Sequence, residues 1–419
     1  MGIGSMVGAG IFSLLGEAGA VAGSAVWISF VVGGVVAGLL GYVCSKLGTR
    51  YPSSGGLIAY LEASWGKGRI VGTAAWLGYI AAIVIVTAMI AVSFGSYAKA
   101  LFVGEHAGKG WDHLFITLLI IGTTALNMIG TKFVTRVQAL IVSCVLVVFA
   151  VFIWVTVRDV NWHLLAPSGY PSFSKIIAGA AITFFAYLGF NVITFTAGDL
   201  ENPKRDLPRA MYGAIGSAAA LYILIAIGVF GTLTVAEVIQ FGPTAIAEAA
   251  RPALGDAGFT AMAIVATLAC AGATNATLYA CDNLTSMLAA EGFFPPWLSG
   301  PRFRGHSGLL ATAAVVLVVA NFVDLSAIAS VGSAVSLVMF LLIGIAGWRL
   351  RSETGSSSAL IVACLLLDAI VLGFFVVDVA RNDPWTFVAI VGITLASVGL
   401  DWLVRGRAET PAPAASASP

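Results

Sequence analysis

The stretch FFAYLGF, Phe184 to Phe190, decides the fold of this chain together with GSMVGAG, Gly4 to Gly10. Both stretches place glycine inside long apolar segments, and the two segments lie five segments apart. In lipid, an interrupted helix is tolerated only where its freed amides and carbonyls face protein, a cavity or a ligand. Matching interruptions in two halves of a membrane protein are the best sequence pointer to a binding site. The pair therefore predicts a secondary transporter.

The composition is that of a polytopic membrane protein. Of the 419 residues, 59% are hydrophobic and only 10% are charged, which is too apolar for a soluble multidomain chain. A net charge of +1 provides no clustered basic face, so we exclude nucleic acid as a partner. The five cysteines lie in apolar segments without a CxxC pair, so we expect them to pack and predict no metal site.

Twelve apolar segments follow from the requirement that a spanning helix has about 20 apolar residues. Their expected bounds are 1–22, 25–47, 70–101, 113–130, 133–157, 175–198, 210–233, 258–288, 308–323, 326–348, 359–380 and 385–404. Met1 lies only three residues before Gly4. We therefore expect helix 1 to be truncated, with the half-helix upstream of its interruption almost absent.

The basic residues indicate an orientation in the cell membrane. Cytoplasmic loops carry an excess of Lys and Arg, and cytoplasmic N- and C-termini place most of the 21 basic residues inside. Five is an odd number, so segments six to ten repeat segments one to five with inverted topology. We predict a first repeat over 1–157, a second over 175–349, accessory helices over 359–404 and a disordered cytoplasmic tail over 405–419.

The two interruptions offer complementary chemistry. Glycines at positions 4, 8 and 10 let the backbone unwind, and a helix that restarts after them presents free amides that favour a carboxylate. Carbonyls freed at both interruptions suit an ammonium group. Together they match the polarity of a zwitterionic amino acid. The alternative is that Gly4 and Gly8 only form a small-residue packing surface between helices.

Three blocks of the sequence resemble bacterial permeases of the amino acid-polyamine-organocation superfamily. They are GSMVGAGIF in the first segment, KLGTRYPSSGG from Lys46 to Gly56, and FFAYLGFNVITFTAGDLENPKRDLPRAM from Phe184 to Met211. Their order and spacing match across nearly the whole chain. The resemblance implies an all-α fold of twelve transmembrane helices, with a five-plus-five inverted repeat, broken helices 1 and 6, and alternating access.

The resemblance also implies a substrate site made mostly of main-chain groups. The amides of Ala9 and Gly10, beside Gly8, would bind the substrate carboxylate. Carbonyls of Met6, Phe185 and Leu188 would receive the amine, and the Phe185 ring would close over the substrate as a gate.

Side-chain selectivity is expected to come from Asn191, and from segment three near Tyr79 and Ile83. Asn191 stands where relatives of this family often carry an acid, and a neutral amide offers no counter-charge to a cationic substrate. We therefore favour neutral or small amino acids, although Glu17 or another acid could serve a cationic side chain.

An inner gate is implied at the cytoplasmic end of segment six. Glu201 or Asp206 would pair with basic residues of the loop after segment two when the cytoplasmic side is closed. The alternative is that this charged block, in which Pro203 and Pro208 are expected to break any helix, only sets orientation through weak surface ion pairs.

The coupling ion is open between Na⁺, H⁺ and simple exchange, and no other cofactor is expected. Glu17, Asp282 and Asp368 are the ionisable candidates within the membrane. Asp282 could equally pair with a cytoplasmic Arg. Thr274, together with carbonyls of the first interruption, could hold Na⁺ because hard cations prefer oxygen ligands; a hydroxyl bonded to its own helical turn is the alternative.

Three functions compete at this point. The first is an amino acid permease, a monomer or homo-oligomer in the lipid bilayer. The second is a transporter-like amino acid sensor without flux, or an exchanger of polyamines or organic cations. The third, a membrane enzyme, is disfavoured because the four histidines lie in loops and no HExxH occurs.

Overall fold

Helices account for nearly all of the chain in the computed structural model, which describes residues 2–53, 55–104, 107–129, 134–158, 160–195, 200–299 and 306–408. No strand occurs within these ranges. In the first half, the helices are α1 (Gly2–Ala22), α2 (Val26–Arg50), α3 (Gly56–Trp65), α4 (Arg69–Tyr79), α5 (Val86–Phe102), α6 (Gly110–Ile129) and α7 (Val134–Arg158). The remaining helices are α8 (Phe173–Ala186), α9 (Asn191–Phe195), α10 (Pro203–Phe230), α11 (Val235–Phe241), α12 (Ala245–Ala290), α13 (Ser307–Phe322), α14 (Leu325–Arg349), α15 (Arg351–Thr354), α16 (Ser358–Asn382) and α17 (Pro384–Ala408).

The long apolar helices fall where the sequence predicts apolar segments. Ten helical stretches among the described residues are long and apolar enough to cross a membrane, and the first of them contains both α1 and α2. A further apolar helix, Ser307–Phe322, is shorter. The chain is thus a polytopic helical membrane protein. The tail predicted over 405–419 is wrong at its start, because residues 405–408 belong to α17; from 409 onward it lies outside the described residues.

The sixth segment lies at the centre of the molecule. Its most apolar window, within Phe173–Thr194, is 89% buried, whereas the corresponding window of Pro384–Arg405 is 17% buried. The last helix, α17, therefore lies at the periphery of the molecule.

The interruption predicted in the sixth segment is present. α8 ends at Ala186, a 3₁₀ turn occupies Leu188–Phe190, and α9 starts at Asn191. Gly189 lies in the middle of that turn, where the absence of a side chain relieves crowding in a tightly wound backbone.

The interruption predicted in the first segment is wrong for this structure. α1 runs without a break from Gly2 to Ala22, through Gly4, Gly8 and Gly10. Gly2 and Ile3 are themselves helical and lead directly into Gly4. Glycine inside a helix costs about 1 kcal/mol relative to Ala, which weakens a helix without necessarily breaking it.

The expectation that Pro203 and Pro208 break any helix is also wrong. α10 begins at Pro203, where the missing N–H removes an amide that would be unpaired anyway, and it continues through Pro208. Conversely, α12 contains a kink at Gly255, whose φ of 63° is in the left-handed region that favours glycine. The kink separates residues 245–254 from the eighth segment.

Candidate functional site

The first and sixth segments meet at Gly10 and Ala186. A Cβ atom on Gly10 would lie 2.5 Å from the Ala186 carbonyl oxygen and 2.7 Å from its Cα. The two backbones therefore touch where α8 ends, and only glycine fits at position 10. The structure brings together the two stretches from which the sequence predicts a site.

The turn after Ala186 changes the hydrogen bonding of the Ala186 carbonyl, and a tyrosine hydroxyl binds that carbonyl. The Tyr187 amide donates to Phe184 O at 2.9 Å, and the Phe190 amide donates to Tyr187 O at 3.0 Å. In a regular helix the Phe190 amide would have bonded the Ala186 carbonyl instead. The Tyr222 hydroxyl of α10 donates to that carbonyl at 3.2 Å, within a fully buried environment.

Further hydrogen bonds fix α8 against α2. Tyr187 donates its hydroxyl proton to Phe30 O at 3.0 Å, and Thr183 Oγ1 donates to Ser29 O at 2.7 Å. These side chains are buried, so water cannot reach them and their hydrogen-bond partners must come from the protein. The interruption is consequently held in one geometry by its neighbours.

Phe185, the predicted gate, fills the space between three membrane segments. A Cβ on Gly332 of α14 would lie 2.5 Å from the tip of the Phe185 ring and 2.6 Å from a methyl of Ile85. The ring is 3% exposed. Gly332 is thus the residue that makes room for the gate, and nothing in the local sequence around it indicates this role.

The other predicted substrate contacts surround this point. Met6 and Leu188 are buried, and Asn191 is buried at the start of α9, where its carbonyl accepts from Thr194 Oγ1 at 2.6 Å. The surroundings of Gly8 and the Ala9 side chain are outside the described part of the structure.

Because α1 is continuous, the amides predicted to bind the substrate carboxylate lie inside a helix. In an α-helix only the first four amides lack intrahelical partners. In α1, which begins at Gly2, those amides precede Ala9 and Gly10. The structure places the two residues beside the interruption without freeing their N–H groups.

Within the described residues, no ion pair joins Glu201 or Asp206 to a basic residue of the loop after segment two. Asp206 lies 4.0 Å from Arg205, its neighbour in sequence, and Glu201 is exposed. At the end of α2, Lys46 Nζ instead donates to Gly355 O at 3.4 Å, and Tyr51 donates to a Glu353 carboxylate oxygen at 2.6 Å.

The predicted ion-coupling residues lie apart on α12. Thr274 is fully buried, and its hydroxyl has no hydrogen-bond partner among the described residues, in contrast to the predicted bond within its own turn. Asp282 pairs with His306 Nδ1 at 2.7 Å, where an Arg had been the alternative. The nearby Arg302 and Arg304 are outside the described ranges.

The third segment contains a π-helical turn that its sequence does not indicate. Ile80–Ile85 winds more widely than an α-helix and joins α4 to α5, with Tyr79 at its start and Ile85 at its end. Such turns occur frequently at functional sites because they re-aim side chains. Tyr79 shares a hydrogen bond with the Thr312 hydroxyl. The all-apolar run IAAIVI contains no proline or glycine that would have signalled the turn.

Comparison with known proteins places the chain among transporters. Residues 1–396 match the family described as amino acid permease. The inner membrane transport protein YbaT of Escherichia coli strain K12 is 30% identical over 402 residues, which cover 95% of this chain and 93% of the relative.

Two relatives from Bacillus subtilis strain 168 have different stated substrates. The serine/threonine exchanger SteT is 26% identical over 395 residues, 89% of this chain and 87% of the relative. The methylthioribose transporter is 27% identical over 380 residues, which cover 84% of this chain and 79% of the relative.

Proposed function

Because this chain belongs to the amino acid permease family, and is thus a membrane transporter and not an enzyme, we propose that it moves amino acids across the cytoplasmic membrane by alternating access. The proposed architecture has twelve spans, inverted repeats over 1–157 and 175–349, accessory helices, and both termini in the cytoplasm. The observation that carries the proposal is the interrupted sixth segment, held in the most buried part of the molecule and pressed against α1 at Gly10.

The substrate amine is proposed to bind carbonyls of the interruption. Phe185 and Leu188 contribute their carbonyls there, with Met6 on α1, and the Phe185 ring lies over the site. The carboxylate is proposed to bind the amides of Ala9 and Gly10 in a state in which α1 opens locally. Three glycines in seven residues lower the cost of that opening, since each weakens the helix by about 1 kcal/mol relative to Ala.

The surroundings of the site favour a neutral substrate. Phe185, Leu188, Ile85 and Met6 are apolar, and Asn191 is the polar side chain beside them. A cationic side chain placed here would meet no counter-charge from these residues, and an unpaired charge at low dielectric is costly. We propose small or neutral amino acids as the substrate class. Serine and threonine are natural first probes, since SteT is named as their exchanger.

Two experiments separate the candidate functions. A thermal-shift screen of the purified chain against the twenty amino acids, polyamines and methylthioribose identifies a ligand class, because a ligand that binds only the folded state raises the melting temperature. Counterflow in proteoliposomes then asks whether the ligand is moved. Exchange of a neutral amino acid is the expected result. Binding without exchange identifies a sensor, and a response only to polyamines or methylthioribose contradicts the amino acid assignment.

A further inference from the structure

An acidic residue lies within the buried face of the eleventh segment. The buried residues of α16 recur at helical spacing and form one stripe: Ile361, Cys364, Asp368, Val371, Phe375 and Val379. This helix packs against α14, α8 and α2. Asp368 is 1% exposed. It lies about 15 Å along α16 from Ser358, about half the thickness of a hydrocarbon core of roughly 30 Å.

Neither carboxylate oxygen of Asp368 has a hydrogen-bond partner within the described part of the chain. An isolated carboxylate in a low-dielectric interior costs several kcal/mol, and neutralisation by a proton removes that cost. The packing shown here therefore stabilises the acid with its proton bound.

A second buried aspartate, Asp401, has a cationic partner and serves a structural role. Asp401 on α17 is also 1% exposed, but Arg405 binds it at 2.9 Å. Arg405 in turn donates to the carbonyls of Lys67 and Gly68 at 2.8 and 3.0 Å. Asp368 has no such cation, so an ion pair does not explain its presence.

The neighbouring helices bring thiols, and no charge, to the level of Asp368. Cys364 precedes it by one turn, and Cys44 of α2 is a buried neighbour of Cys364. The charged residues of α8 and α14, Lys175 and Arg349, lie at the ends of those helices. On α2, Lys46 and Arg50 lie beyond Cys44 toward the C-terminal end, and the Tyr42 hydroxyl accepts from the Ser357 amide, just before α16, at 2.7 Å. On α17, Asp401 and Arg405 pair with each other.

The helix that carries Asp368 packs against α8 and α14, two helices of the proposed transport site. α8 ends at the interruption, and α14 carries Gly332 against the Phe185 ring. A Cβ on Gly344 of α14 would lie 2.7 Å from the Leu365 side chain of α16, three residues before Asp368. A shift of α8 or α14 along α16 would therefore change what surrounds the carboxyl group.

We propose that Asp368 is a proton-binding site that couples transport to the proton gradient. The inference rests on the proposed transport function and names H⁺ as the coupling ion. The carboxyl holds its proton in the packing described here, and exchanges it with water when α8 and α14 rearrange. One O–H bond forms and breaks in each cycle, and no other reactant is required.

Reconstituted full-length protein tests the coupling. The variants are Asp368→Asn, which imitates the neutral acid, and Asp368→Glu, which restores a titratable group. The matched control is Asp378→Asn on the same helix, whose carboxylate accepts from Asn382 Nδ2 at 2.9 Å nearer the helix end. Uptake of the counterflow substrate is driven by an imposed one-unit pH gradient with the membrane potential clamped.

We expect wild type and Asp378→Asn to accumulate substrate about tenfold, the limit for one proton per substrate at that gradient. Asp368→Asn should lose this accumulation and keep counterflow exchange, and Asp368→Glu should recover part of it. Gradient-driven accumulation that survives in Asp368→Asn overturns the proposal.

A second measurement does not depend on transport. Infrared spectra of isotope-labelled protein at neutral pH should contain the C=O band of a protonated carboxylic acid, and Asp368→Asn should lack it. Absence of that band in wild type overturns the proton site. Absence of counterflow in every variant, with the band present, is instead the failure of the transport function. If Asp368→Asn does not fold, Asp368→Leu takes its place in both measurements.

Discussion

The Tyr222 hydroxyl binds the carbonyl oxygen of Ala186, the last residue of α8, at 3.2 Å. This bond satisfies the carbonyl that the 3₁₀ turn frees, and it links α10 to the interruption. Without it, the buried carbonyl would lose this hydrogen-bond donor. The interruption is thus maintained by a specific side chain and not only by the glycine within it.

Replacing Tyr222 with Phe should destabilise the protein by about 1–3 kcal/mol, the cost of an orphaned buried acceptor. The ring contacts with Tyr187 and Phe30 are retained in this variant. The control is Tyr97→Phe, because the buried Tyr97 hydroxyl has no partner among the described residues. Melting temperatures in detergent are compared. Equal losses in the two variants would contradict the role given to the Tyr222 bond.

The close contact between Gly332 and Phe185 predicts that a larger side chain at position 332 moves the Phe185 ring. Gly332→Ala should displace the Phe185 ring and weaken substrate exchange more than it lowers the melting temperature, since a ring tip can move. Adding Phe185→Leu should relieve the part of the clash that involves the ring, although not the contact with Ile85, and so give a non-additive pair. Counterflow rates of the single and double variants measure this coupling. The control is Gly213→Ala, where a Cβ meets open space; strictly additive effects would contradict the contact.

Asp401, Arg405 and Gly72 form a structural lock between α17 and α4. A Cβ on Gly72 would collide with the Asp401 carboxylate. Asp401→Asn removes one partner of a largely buried ion pair and should cost about 3 kcal/mol. Arg205→Ala is the control, since its exposed pair with Asp206 should contribute about 0–1 kcal/mol. Thermal unfolding of both variants distinguishes the pairs, and an unchanged melting temperature in Asp401→Asn would refute the lock.

Asp383 caps α17 and adds a dependence on pH. Its carboxylate accepts from the hydroxyl and, at 3.2 Å, from the amide of Thr386, and these bonds lower the pKa of Asp383 below its ordinary value. A carboxyl whose pKa is lowered by folding stabilises the protein above its unfolded pKa, and this stabilisation is lost as the pH falls through the folded pKa. The effect is limited to about 1 kcal/mol because the group is an exposed cap.

The melting temperature of Asp383→Ala should therefore be lower than that of wild type at pH 7, and the difference should shrink below about pH 4. Melting curves recorded from pH 7 to pH 3 measure this. A difference that grows toward low pH would have the wrong sign for the proposed cap.

The sequence predicts the helices and the second interruption well because these features depend on local composition. Apolar length marks the segments, and FFAYLGF places a glycine where α8 gives way to a 3₁₀ turn. The first interruption was predicted from an equally glycine-rich stretch and is wrong here. Glycines permit an unwound backbone but do not require one, and α1 passes through Gly4, Gly8 and Gly10 as a helix.

The remaining features of the site depend on contacts between distant parts of the chain. The pairing of Asp282 with His306, the space that Gly332 leaves for Phe185, and the π-helical turn at Ile80–Ile85 are all set by packing. No local signal in a single sequence reports which helix faces which. Pro208 shows the same limit, since an unfavourable residue near a helix start is accommodated when the rest of α10 is well packed.

The most direct test of the central claim measures counterflow exchange of a neutral amino acid by Gly10→Ala. A Cβ at this position overlaps the Ala186 backbone, whereas the control Gly216→Ala on α10 meets open space. Overpacking costs about 1–3 kcal/mol, so exchange by Gly10→Ala should fall about tenfold or more, and Gly216→Ala should exchange like wild type. Wild-type exchange by a folded Gly10→Ala protein would contradict the proposal that substrate passes where α1 meets the interrupted sixth segment.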